Sequence, residues 1–541
     1  MASLTIERIN EIFSKNPSEI EKFFADLNAR HTQPNNIIEL PTENKMLLGE
    51  KISEFLEIPD LAPTLLFTLR ICSRDVNGIE SLLSTQLCEK LLNFACVLKN
   101  GKPFTTVPTL IEAQKSLINT VFHSSKMRSV LKEHNERLIP FLAEFDESRR
   151  KTSKFEWIRQ LDDKTADEIA FFYHKIAFVA TAKCKDIQKS WPHYPGIVDI
   201  LMVPLERLLH KKTDPTDLQF KIADESLKTF FNIFCREEKD LPAIEKEQAS
   251  KASRIFRDLI LSDSLPEIVV QSAVHCLSVP PLRIDLSIVC GDPKAPPTQK
   301  EQEFKNMELT ERLLAIIERK CDEIRELGTD PLATESTEML GPYFQFLSRL
   351  CMLNKYSRRY CRLRIIPPLT AEEVQKRPEE QENLRGKLCR MMMTPTATKE
   401  VVQAFLFIIC KRSTDRFIKY FGFGHAAGHL ANLGLLGTIN QAKRDSDSED
   451  SETEEYNSIR DTVNPVTGAV YPADRGSILA GMSDEQKEFE AMKLVDAMNK
   501  MMEAGIVKPG TIGEDGKVRE VKHVLELIDK VQELDDNSDS D

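Results

Sequence analysis

A short pattern that occurs twice decides the fold of this chain, first in Glu112-Ala113-Gln114-Lys115-Ser116-Leu117-Ile118-Asn119-Thr120-Val121-Phe122 and again in Glu225-Ser226-Leu227-Lys228-Thr229-Phe230-Phe231-Asn232-Ile233-Phe234. Both copies contain Lys-x-φ-φ-Asn-x-φ, where φ is an apolar residue. Because the lysine and the asparagine are four positions apart, they lie on one face of a helix, and the apolar residues between them point elsewhere. A third, weaker copy follows at Ala273–Leu277. The repetition predicts stacked helical repeats whose inner helices present a polar ladder.

The remaining sequence favours the same architecture. Apolar residues recur with helical spacing from about Ser18 to Leu436, and polar or proline-containing breaks separate the segments. No segment shows the alternation that is typical of a strand. The hydrophobic fraction is 41% and the charged fraction 29%, with only 20 glycines in 541 residues, which is typical of a well-packed helical protein. We therefore predict an all-α, armadillo/HEAT-like solenoid over residues 1–437.

The composition changes after this solenoid, and two further regions are predicted, an acidic loop with a linker at 438–482 and a mobile C-terminal helix with an acidic tail at 483–541. Asp445–Glu455 is rich in acids and serine and lacks apolar residues, so it cannot contribute to a core. Ser446 and Ser451 each precede a glutamate by three positions, which is the pattern that acidophilic, casein-kinase-2-like kinases recognise. We predict that both serines are phosphorylated.

The C-terminal helix is predicted from its capping signal. Ser483 and Gln486 form the capping box that opens a helix, which should run to about Ala504. Its apolar stripe is rich in methionine, a residue that adapts to varied surfaces. The helix therefore either packs on its own solenoid or binds a partner; for the second alternative the contacting residues are Met492, Val495 and Met498.

Composition also excludes several classes of protein. The net charge of -12 argues against a general nucleic-acid binder. The 12 cysteines show no Cys-x-x-Cys pair, and Cys72, Cys96, Cys276 and Cys410 lie in apolar helical stretches, as reduced core cysteines do. The N-terminus lacks an apolar signal segment, and the strongest apolar run, Ala404–Cys410, is too short to cross a bilayer. We expect a cytoplasmic protein that reaches a membrane only through a partner.

No enzymatic motif stands out. His425 and His429 are four apart and could share a metal, but the central glutamate of a zincin is missing and no third ligand is obvious. Gly422 and Gly424 do not follow a strand, which argues against a dinucleotide-binding loop. The sequence contains no nucleophile elbow, P-loop or kinase signature. We expect no metal, no cofactor and no covalent catalysis.

The polar ladder has a charge preference. Arg70 and Arg74 are also four apart, and together with Lys115 and Lys228 they give each predicted rung a cation. A cationic groove suits a carboxylate or an acidic helix. The alternative is that these pairs are ordinary solvated helix faces.

Three blocks near the C-terminus resemble the synembryn family, chaperones and guanine-nucleotide exchange factors for the α subunits of heterotrimeric G proteins (Gα). They are Asp415-Arg416-Phe417-Ile418-Lys419-Tyr420-Phe421-Gly422-Phe423-Gly424-His425-Ala426-Ala427-Gly428, then Asn464-Pro465-Val466-Thr467-Gly468, then Gly481-Met482-Ser483-Asp484-Glu485-Gln486-Lys487-Glu488-Phe489-Glu490-Ala491-Met492-Lys493-Leu494-Val495. The similarity extends from the helix containing Arg70 to about Pro509.

The resemblance implies an armadillo/HEAT-like fold that holds the C-terminal helix of Gα in its concave groove. It also implies that phosphates on Ser446 and Ser451 dock on Lys355, Arg358 and Arg359; the alternative is that these arginines neutralise Glu372 and Glu373. The predicted partner-binding residues include three from the C-terminal helix of this chain. The full set is Arg70, Arg74, Lys115, Asn119, Lys228, Phe230, Phe231, Asn232, Met492, Val495 and Met498.

The function that the resemblance implies is nucleotide exchange on, and folding of, Gα in its GDP-bound or nucleotide-free state. Association with the cell cortex would then occur through Gα. An armadillo-type adaptor without exchange activity is the alternative.

Overall fold

The computed structural model describes residues 4–33, 35–97, 106–210, 214–236, 246–279, 307–436, 453–471, 483, 485–489, 492–493, 495, 510–512 and 518–520. The chain divides into two compact units. The first comprises Met1–Asn457 with Pro465–Gly468, and the second comprises Ser458–Asn464 with Ala469–Asp541.

Helices dominate the described chain. In order they are α1 (Ile6–Phe13), α2 (Pro17–Arg30), α3 (Thr42–Phe55), α4 (Ala62–Cys72), α5 (Ile79–Leu82), α6 (Thr85–Phe94), α7 (Val107–His123), α8 (Ser125–His134), α9 (Phe141–Glu144), α10 (Glu147–Arg150), α11 (Glu156–Arg159), α12 (Asp163–Lys183), α13 (Lys185–Ser190), α14 (Ile197–His210), α15 (Asp217–Phe234), α16 (Lys246–Leu261), α17 (Glu267–Leu277), α18 (Glu308–Leu327), α19 (Pro331–Glu338), α20 (Gly341–Leu353), α21 (Lys355–Ile365), α22 (Leu384–Met391), α23 (Thr398–Ile409), α24 (Thr414–Phe421), α25 (Phe423–Asn432) and α26 (Glu454–Ile459). Single 3₁₀ turns lie at Asn135–Arg137, Trp191–His193, Pro378–Glu380 and Arg460–Thr462.

The helices of the first unit pack in two layers. One layer, called here the ladder layer, consists of α2, α4, α7, α12, α15, α17, α20 and α23, and each of these contacts the next. The second layer runs through α1, α3, α6 and α8 and, further along, through α14, α16, α18 and α22. Helices that touch mainly their neighbours along the chain are the hallmark of a solenoid, which confirms the predicted fold class.

Capping and aromatic packing explain why these segments are helical and where they bury their apolar faces. Thr216 and Gln219 form a capping box at the start of α15. Near the other end of this helix, Phe230 is fully buried and contacts Phe234 and Phe256. Burying an aromatic side chain of this size contributes about 2–3 kcal/mol, so Phe230 helps to hold α15 against α16.

The glycine-rich block of α24 and α25 is closed by the Asn464–Gly468 turn. Backbone amides of Phe423 and Gly424 donate to the carbonyl oxygens of Pro465 (2.8 Å) and Val466 (2.9 Å). A side chain on Gly422 would meet the Val466 carbonyl oxygen at 2.8 Å. The two blocks therefore fit against each other without room for a β-carbon.

Two short antiparallel strand pairs were not predicted. In the second unit β1 (Val463–Asn464) pairs with β2 (Ala469–Val470), so that Val463 faces Val470. Further along, β3 (Gly510–Ile512) pairs with β4 (Val518–Glu520). Strands of two or three residues are too short to produce the alternation by which a strand is recognised in sequence.

The start of the C-terminal helix is confirmed. The Gln486 amide donates to the Ser483 hydroxyl (3.3 Å), and the Ser483 amide donates to the Gln486 side chain (3.1 Å). Met492 is exposed and Val495 is half-buried. Met498 and the predicted end at Ala504 lie outside the described residues, as do Ser446 and Ser451.

None of the described cysteines is part of a disulfide. Cys72, Cys96, Cys276 and Cys410 are buried, and burial raises the pKa of the Cys72 and Cys96 thiols to about 12. Such thiols remain protonated and unreactive near neutral pH. Among the described helices none combines the length and the apolarity that a membrane span requires.

Candidate partner-binding surface

Apart from Arg74, which follows α4, the predicted ladder residues lie on three helices of the ladder layer, α4, α7 and α15. The helix α12 packs between α7 and α15. Side chains of these four helices form one surface, called here the ladder face. It consists of the partly exposed Arg70, Glu112, Lys115, Lys175, Phe178 and Lys228 and the buried Glu225 that pairs with two of them.

The first rung of the ladder face is a carboxylate between two cations. The Glu112 carboxylate accepts from Arg70 Nε at 3.1 Å and from Lys115 Nζ at 3.0 Å. Each cation also lies over an aromatic ring, with the Arg70 guanidinium 4.2 Å from the Phe67 centroid and Lys115 Nζ 5.3 Å from that of Phe172. The rung joins α4 to α7 through charge pairing and cation–π contact.

The second rung has the same arrangement. Glu225 accepts from Lys175 Nζ at 2.7 Å and lies 3.9 Å from Lys228 Nζ, which pairs with Asp224 at 2.6 Å. Phe178 lies beside both lysines, at 5.0 and 5.6 Å. Burial raises the pKa of the Glu225 carboxyl, and the hydrogen bond and charge of Lys175 oppose that rise. This rung joins α12 to α15.

The ladder is therefore charge-alternating, and the prediction of a purely cationic ladder needs correction. Both copies of the repeat begin with a glutamate three positions before the lysine, Glu112 and Glu225, and that shared residue was the available signal. The cations nevertheless reach solvent, with exposed side-chain fractions of 22% for Arg70, 30% for Lys115 and 33% for Lys228. These three cations are therefore accessible to an acidic ligand.

The two asparagines of the repeat hold neighbouring ladder helices together. Asn119 Nδ2 donates to the Arg70 carbonyl at 3.3 Å. Asn232 Nδ2 donates to the Phe178 carbonyl at 3.3 Å and to the Thr181 hydroxyl at 3.1 Å. Both side chains are half-buried. Their donors therefore serve the stacking of the helices.

Two predicted contact residues have other roles. Arg74 Nη1 donates to the carbonyls of His31 and Gln33, each at 2.8 Å, so its guanidinium holds the segment after α2. Phe230 is fully buried and cannot contact a partner in this structure; its neighbour Phe231 is half-buried, 5.8 Å from the His275 ring. Spacing alone did not reveal which of the two adjacent phenylalanines faces the core.

Sequence reasoning missed the contribution of α12. In Lys175–Val179 a valine stands where the other copies have asparagine, so the repeat pattern is broken there. Lys175 and Phe178 nevertheless complete the second rung. On the same two helices, Phe122 of α7 adds an apolar side chain that is 45% exposed. Its ring centroid lies 3.9 Å from Nζ of Lys183 in α12.

The basic cluster lies on α21. Lys355 is exposed, and Arg358 Nη1 donates to the Cys351 carbonyl at 3.3 Å. Of the acids proposed as alternative partners, Glu373 lies 3.7 Å from Arg385 and accepts from the Thr370 amide at 3.1 Å. Beyond the acidic loop, the Thr453 hydroxyl donates to the Leu369 carbonyl, so the chain returns close to the end of α21.

His425 and His429 do not share a site. His429 is buried against the rings of Phe407 and Phe417, and burial lowers its pKa. His425 instead lies with Glu379 and Cys389, and potential ligand atoms of all three are within 4.8 Å of one another. Nothing in the sequence indicated this group of three, because its members are remote from one another along the chain.

Known proteins resemble this chain over nearly its whole length. A family model described as "Guanine nucleotide exchange factor synembryn" matches residues 65–517. The protein named "Chaperone ric-8" of Caenorhabditis elegans is 51% identical over 557 residues, covering 98% of each chain. "Chaperone Ric-8A" of Xenopus tropicalis is 28% identical over 563 residues, covering 98% of this chain and 99% of the relative.

Proposed function

This chain belongs to the synembryn family of guanine-nucleotide exchange factors, and from that premise we propose that it is an exchange factor and folding chaperone for Gα subunits. The ladder face carries the proposal, because it offers two equivalent charged rungs with half-buried aromatic rings beside them. An amphipathic helix with an acidic or carboxylate end matches this surface in both respects.

The ligand is the C-terminal helix of Gα. Its carboxylates pair with the solvent-facing sides of Arg70, Lys115, Lys175 and Lys228, while Glu112 and Glu225 keep their own ion pairs, and its apolar side chains pack beside Phe178 and Phe231. Because no buried carboxylate loses its cation, binding avoids the desolvation of an unpaired charge. The spacing of the two rungs sets the position along the ladder face at which the Gα helix binds.

Exchange follows from preferential binding and needs no covalent step. If the ladder face removes the C-terminal helix from its place beside the guanine pocket, the pocket loosens and GDP leaves. Coupling between two ligands is reciprocal, so GTP binding must in turn weaken the hold on Gα. The protein thus acts on GDP-bound and nucleotide-free Gα and makes or breaks no bond itself.

A chaperone role uses the same surface. A partly folded Gα exposes its C-terminal helix, and a protein that binds this state protects it from aggregation until nucleotide enters. The name "chaperone" that the relatives bear supports this role. Action in the cytoplasm, and at the cell cortex through Gα, accords with it.

Two further elements belong to the proposal. The helix that begins at Ser483 contacts Gα away from the ladder face through Met492, Val495 and Met498, and the exposure of Met492 supports this. Phosphates on Ser446 and Ser451, added by an acidophilic, casein-kinase-2-like kinase, dock on Lys355, Arg358 and Arg359. The return of the chain at Thr453 supports this docking.

The ladder face is tested with a Lys115→Ala, Lys228→Ala variant and a peptide of the Gα C-terminal helix. Two charge-assisted hydrogen bonds contribute about 1.5–3 kcal/mol each, so we expect affinity to fall at least about tenfold. A Lys132→Ala, Lys151→Ala variant is the control, because both lysines form exposed ion pairs outside the ladder layer. Equal affinity of both variants for the peptide would remove the ladder face from the proposal.

Nucleotide dependence separates exchange from simple adaptor binding. We expect the full chain to bind nucleotide-free Gα more tightly than GTP-loaded Gα and to accelerate GDP release. An adaptor would bind both forms of Gα alike and leave the release rate unchanged.

A further inference from the structure

Three side chains with metal-binding chemistry meet at one place in the first unit, away from the ladder face. Glu379 lies in the 3₁₀ turn Pro378–Glu380, Cys389 in α22 and His425 in the first turn of α25. Each offers one ligand atom, and these atoms lie within 4.8 Å of one another. Among the described residues no other group of three histidine, cysteine or acidic side chains meets this criterion.

The surrounding backbone fixes the cluster. Arg390, next to Cys389, donates from Nη1 to the carbonyls of Glu379 (2.7 Å) and Gln381 (2.8 Å). The first turn of α25 is held by the bonds from Phe423 and Gly424 to the Asn464–Gly468 turn. The three ligands are thus positioned by contacts that do not involve their own side-chain polar atoms, as a preorganised site requires.

The polar atoms of the cluster are not satisfied by one another. Glu379 Oε2 and His425 Nδ1 are buried and have no hydrogen-bond partner among the described residues. The distance from His425 Nε2 to Glu379 Oε2, 3.5 Å, is too long for a strong hydrogen bond. Cys389 is fully buried beside them. A buried polar atom left without a partner is costly, so such groups in a native fold call for an explanation.

We propose that Glu379, Cys389 and His425 bind a Zn²⁺ ion. Thiolate sulfur, imidazole nitrogen and carboxylate oxygen together suit this borderline ion, whereas Mg²⁺ and Ca²⁺ prefer oxygen ligands alone. In tetrahedral zinc sites with ordinary bond lengths, neighbouring ligand atoms are about 3.3–3.5 Å apart. The imidazole and carboxylate already have this spacing, and the sulfur lies within 4.8 Å of both, so that a side-chain adjustment completes the set.

The charges and protons balance. In the absence of metal the thiol is protonated, because burial and the nearby Glu379 carboxylate raise the pKa of Cys389. Zn²⁺ displaces that proton, and the thiolate and the Glu379 carboxylate then neutralise the ion. A water molecule takes the fourth position, which is reachable because the Glu379 side chain is 29% exposed.

Zinc would join three segments that are distant in sequence. The linker after α21, the helix α22 and the start of α25 would be held by one ion at the end of the solenoid from which residues 437–452 leave. This role is structural, goes beyond nucleotide exchange and can be tested without Gα.

The experiment uses the full chain after removal of metal with a chelator. We expect one equivalent of Zn²⁺ to bind and to raise the melting temperature. One equivalent of Co²⁺ should give the near-ultraviolet charge-transfer absorption of a thiolate–cobalt bond. Cys389→Ser should abolish that absorption, and His425→Asn or Glu379→Gln should each weaken Zn²⁺ binding at least about tenfold.

A His193→Asn, Cys235→Ser variant is the control, since both side chains are exposed and lie outside the cluster. It should bind Zn²⁺ and Co²⁺ like the unaltered chain. If Cys389→Ser does not fold, His425→Asn and Glu379→Gln decide the matter. Undiminished Zn²⁺ affinity in those two variants overturns the proposal. It is also overturned if Zn²⁺ leaves the melting temperature of the unaltered chain unchanged.

Discussion

Two arginines near the end of α4, Arg70 and Arg74, make different kinds of contact although they lie only four positions apart. Arg70 and Arg74 are one helical turn apart, yet Arg70 pairs with a carboxylate on the next ladder helix, whereas Arg74 donates to backbone carbonyls of the segment after α2. Desolvation and the charge of Arg70 lower the pKa of Arg74. What distinguishes them is the location of the acceptors, which are remote in sequence.

Arg74→Ala should therefore reduce stability more than binding. Its loss leaves the carbonyls of His31 and Gln33 without a charged donor, and hydrogen bonds to charged groups contribute about 1.5–3 kcal/mol. Arg70→Ala removes a partly exposed ion pair and should cost only about 0–1 kcal/mol. Denaturant unfolding of both variants measures the difference. A smaller loss for Arg74→Ala than for Arg70→Ala would contradict the assignment.

A buried histidine predicts how stability depends on pH. His174 is fully buried, its Nε2 lies 2.8 Å from the Leu142 carbonyl, and Nδ1 has no partner among the described residues. Burial lowers the pKa of His174 from 6.5 to about 4. The unfolded chain therefore binds a proton that the folded chain rejects, and stability falls as pH decreases between those two values, by about 1.4 kcal/mol per pH unit.

The matched variant is His174→Gln, which keeps a donor for the Leu142 carbonyl but does not titrate. Plots of unfolding free energy against pH should differ in slope by about one proton between pH 6.5 and 4, with the unaltered chain steeper. Parallel plots would show that His174 is protonated in the folded state.

The spacing of residues in the sequence predicted helices more reliably than it predicted the surroundings of single side chains. The Lys-x-φ-φ-Asn pattern correctly predicted that α7 and α15 are equivalent helices, because a face is a property of periodicity. It could not predict that Phe230 is buried and Phe231 is half-buried, since that depends on the exact rotation of α15 against α16. Likewise Glu379 and Cys389 could not be associated with His425, because only the folded structure brings these separate segments together.

The Asn464–Gly468 turn shows why two separate sequence blocks belong together. Gly422 has φ +76° and ψ 148°, a backbone conformation that only glycine adopts without strain. A β-carbon there would lie 2.8 Å from the Val466 carbonyl oxygen and 2.9 Å from the Thr467 carbonyl carbon. Both the backbone conformation and the space beside the turn therefore require glycine at position 422.

Gly422→Ala should lower the free energy of unfolding by at least about 2 kcal/mol, through backbone strain and the forced separation from the turn. Gly428→Ala is the control within the same helix, because no atom lies within 4 Å of its new β-carbon. That change should stabilise α25 by about 0.5–1 kcal/mol. Thermal or denaturant unfolding distinguishes the two, and equal effects would show that the turn does not pack as described.

In the chain as a whole, the acidic loop connects the end of the solenoid to Thr453. Thr453 is anchored to the Leu369 carbonyl, four positions beyond the last residue of α21. Ser451 is two residues from this anchor, and two residues span at most about 7 Å. Arg358 lies seven residues before the end of α21, about 10 Å along the helix. The tether of Ser451 to this anchor is therefore short, and that of Ser446 is longer.

Phosphorylation should raise the exchange rate through this contact. Each phosphate adds about -1.5 to -2 charges, which the neighbouring acids repel unless cations receive it. We expect an acidophilic kinase to stimulate GDP release by the unaltered chain and not by a Ser446→Ala, Ser451→Ala variant. Salt should reduce the stimulation, because it screens partly exposed charges.

The decisive comparison reverses the charge of the receiving surface. In an Arg358→Glu, Arg359→Glu background, kinase treatment should no longer stimulate exchange, whereas a Lys132→Glu, Lys151→Glu background, with the same charge change on exposed lysines elsewhere, should respond normally. A general effect of net charge would abolish stimulation in both backgrounds, and a kinase effect independent of α21 would preserve it in both. Only docking on the basic cluster separates them, because it depends on where the cations lie and not on how many the protein carries.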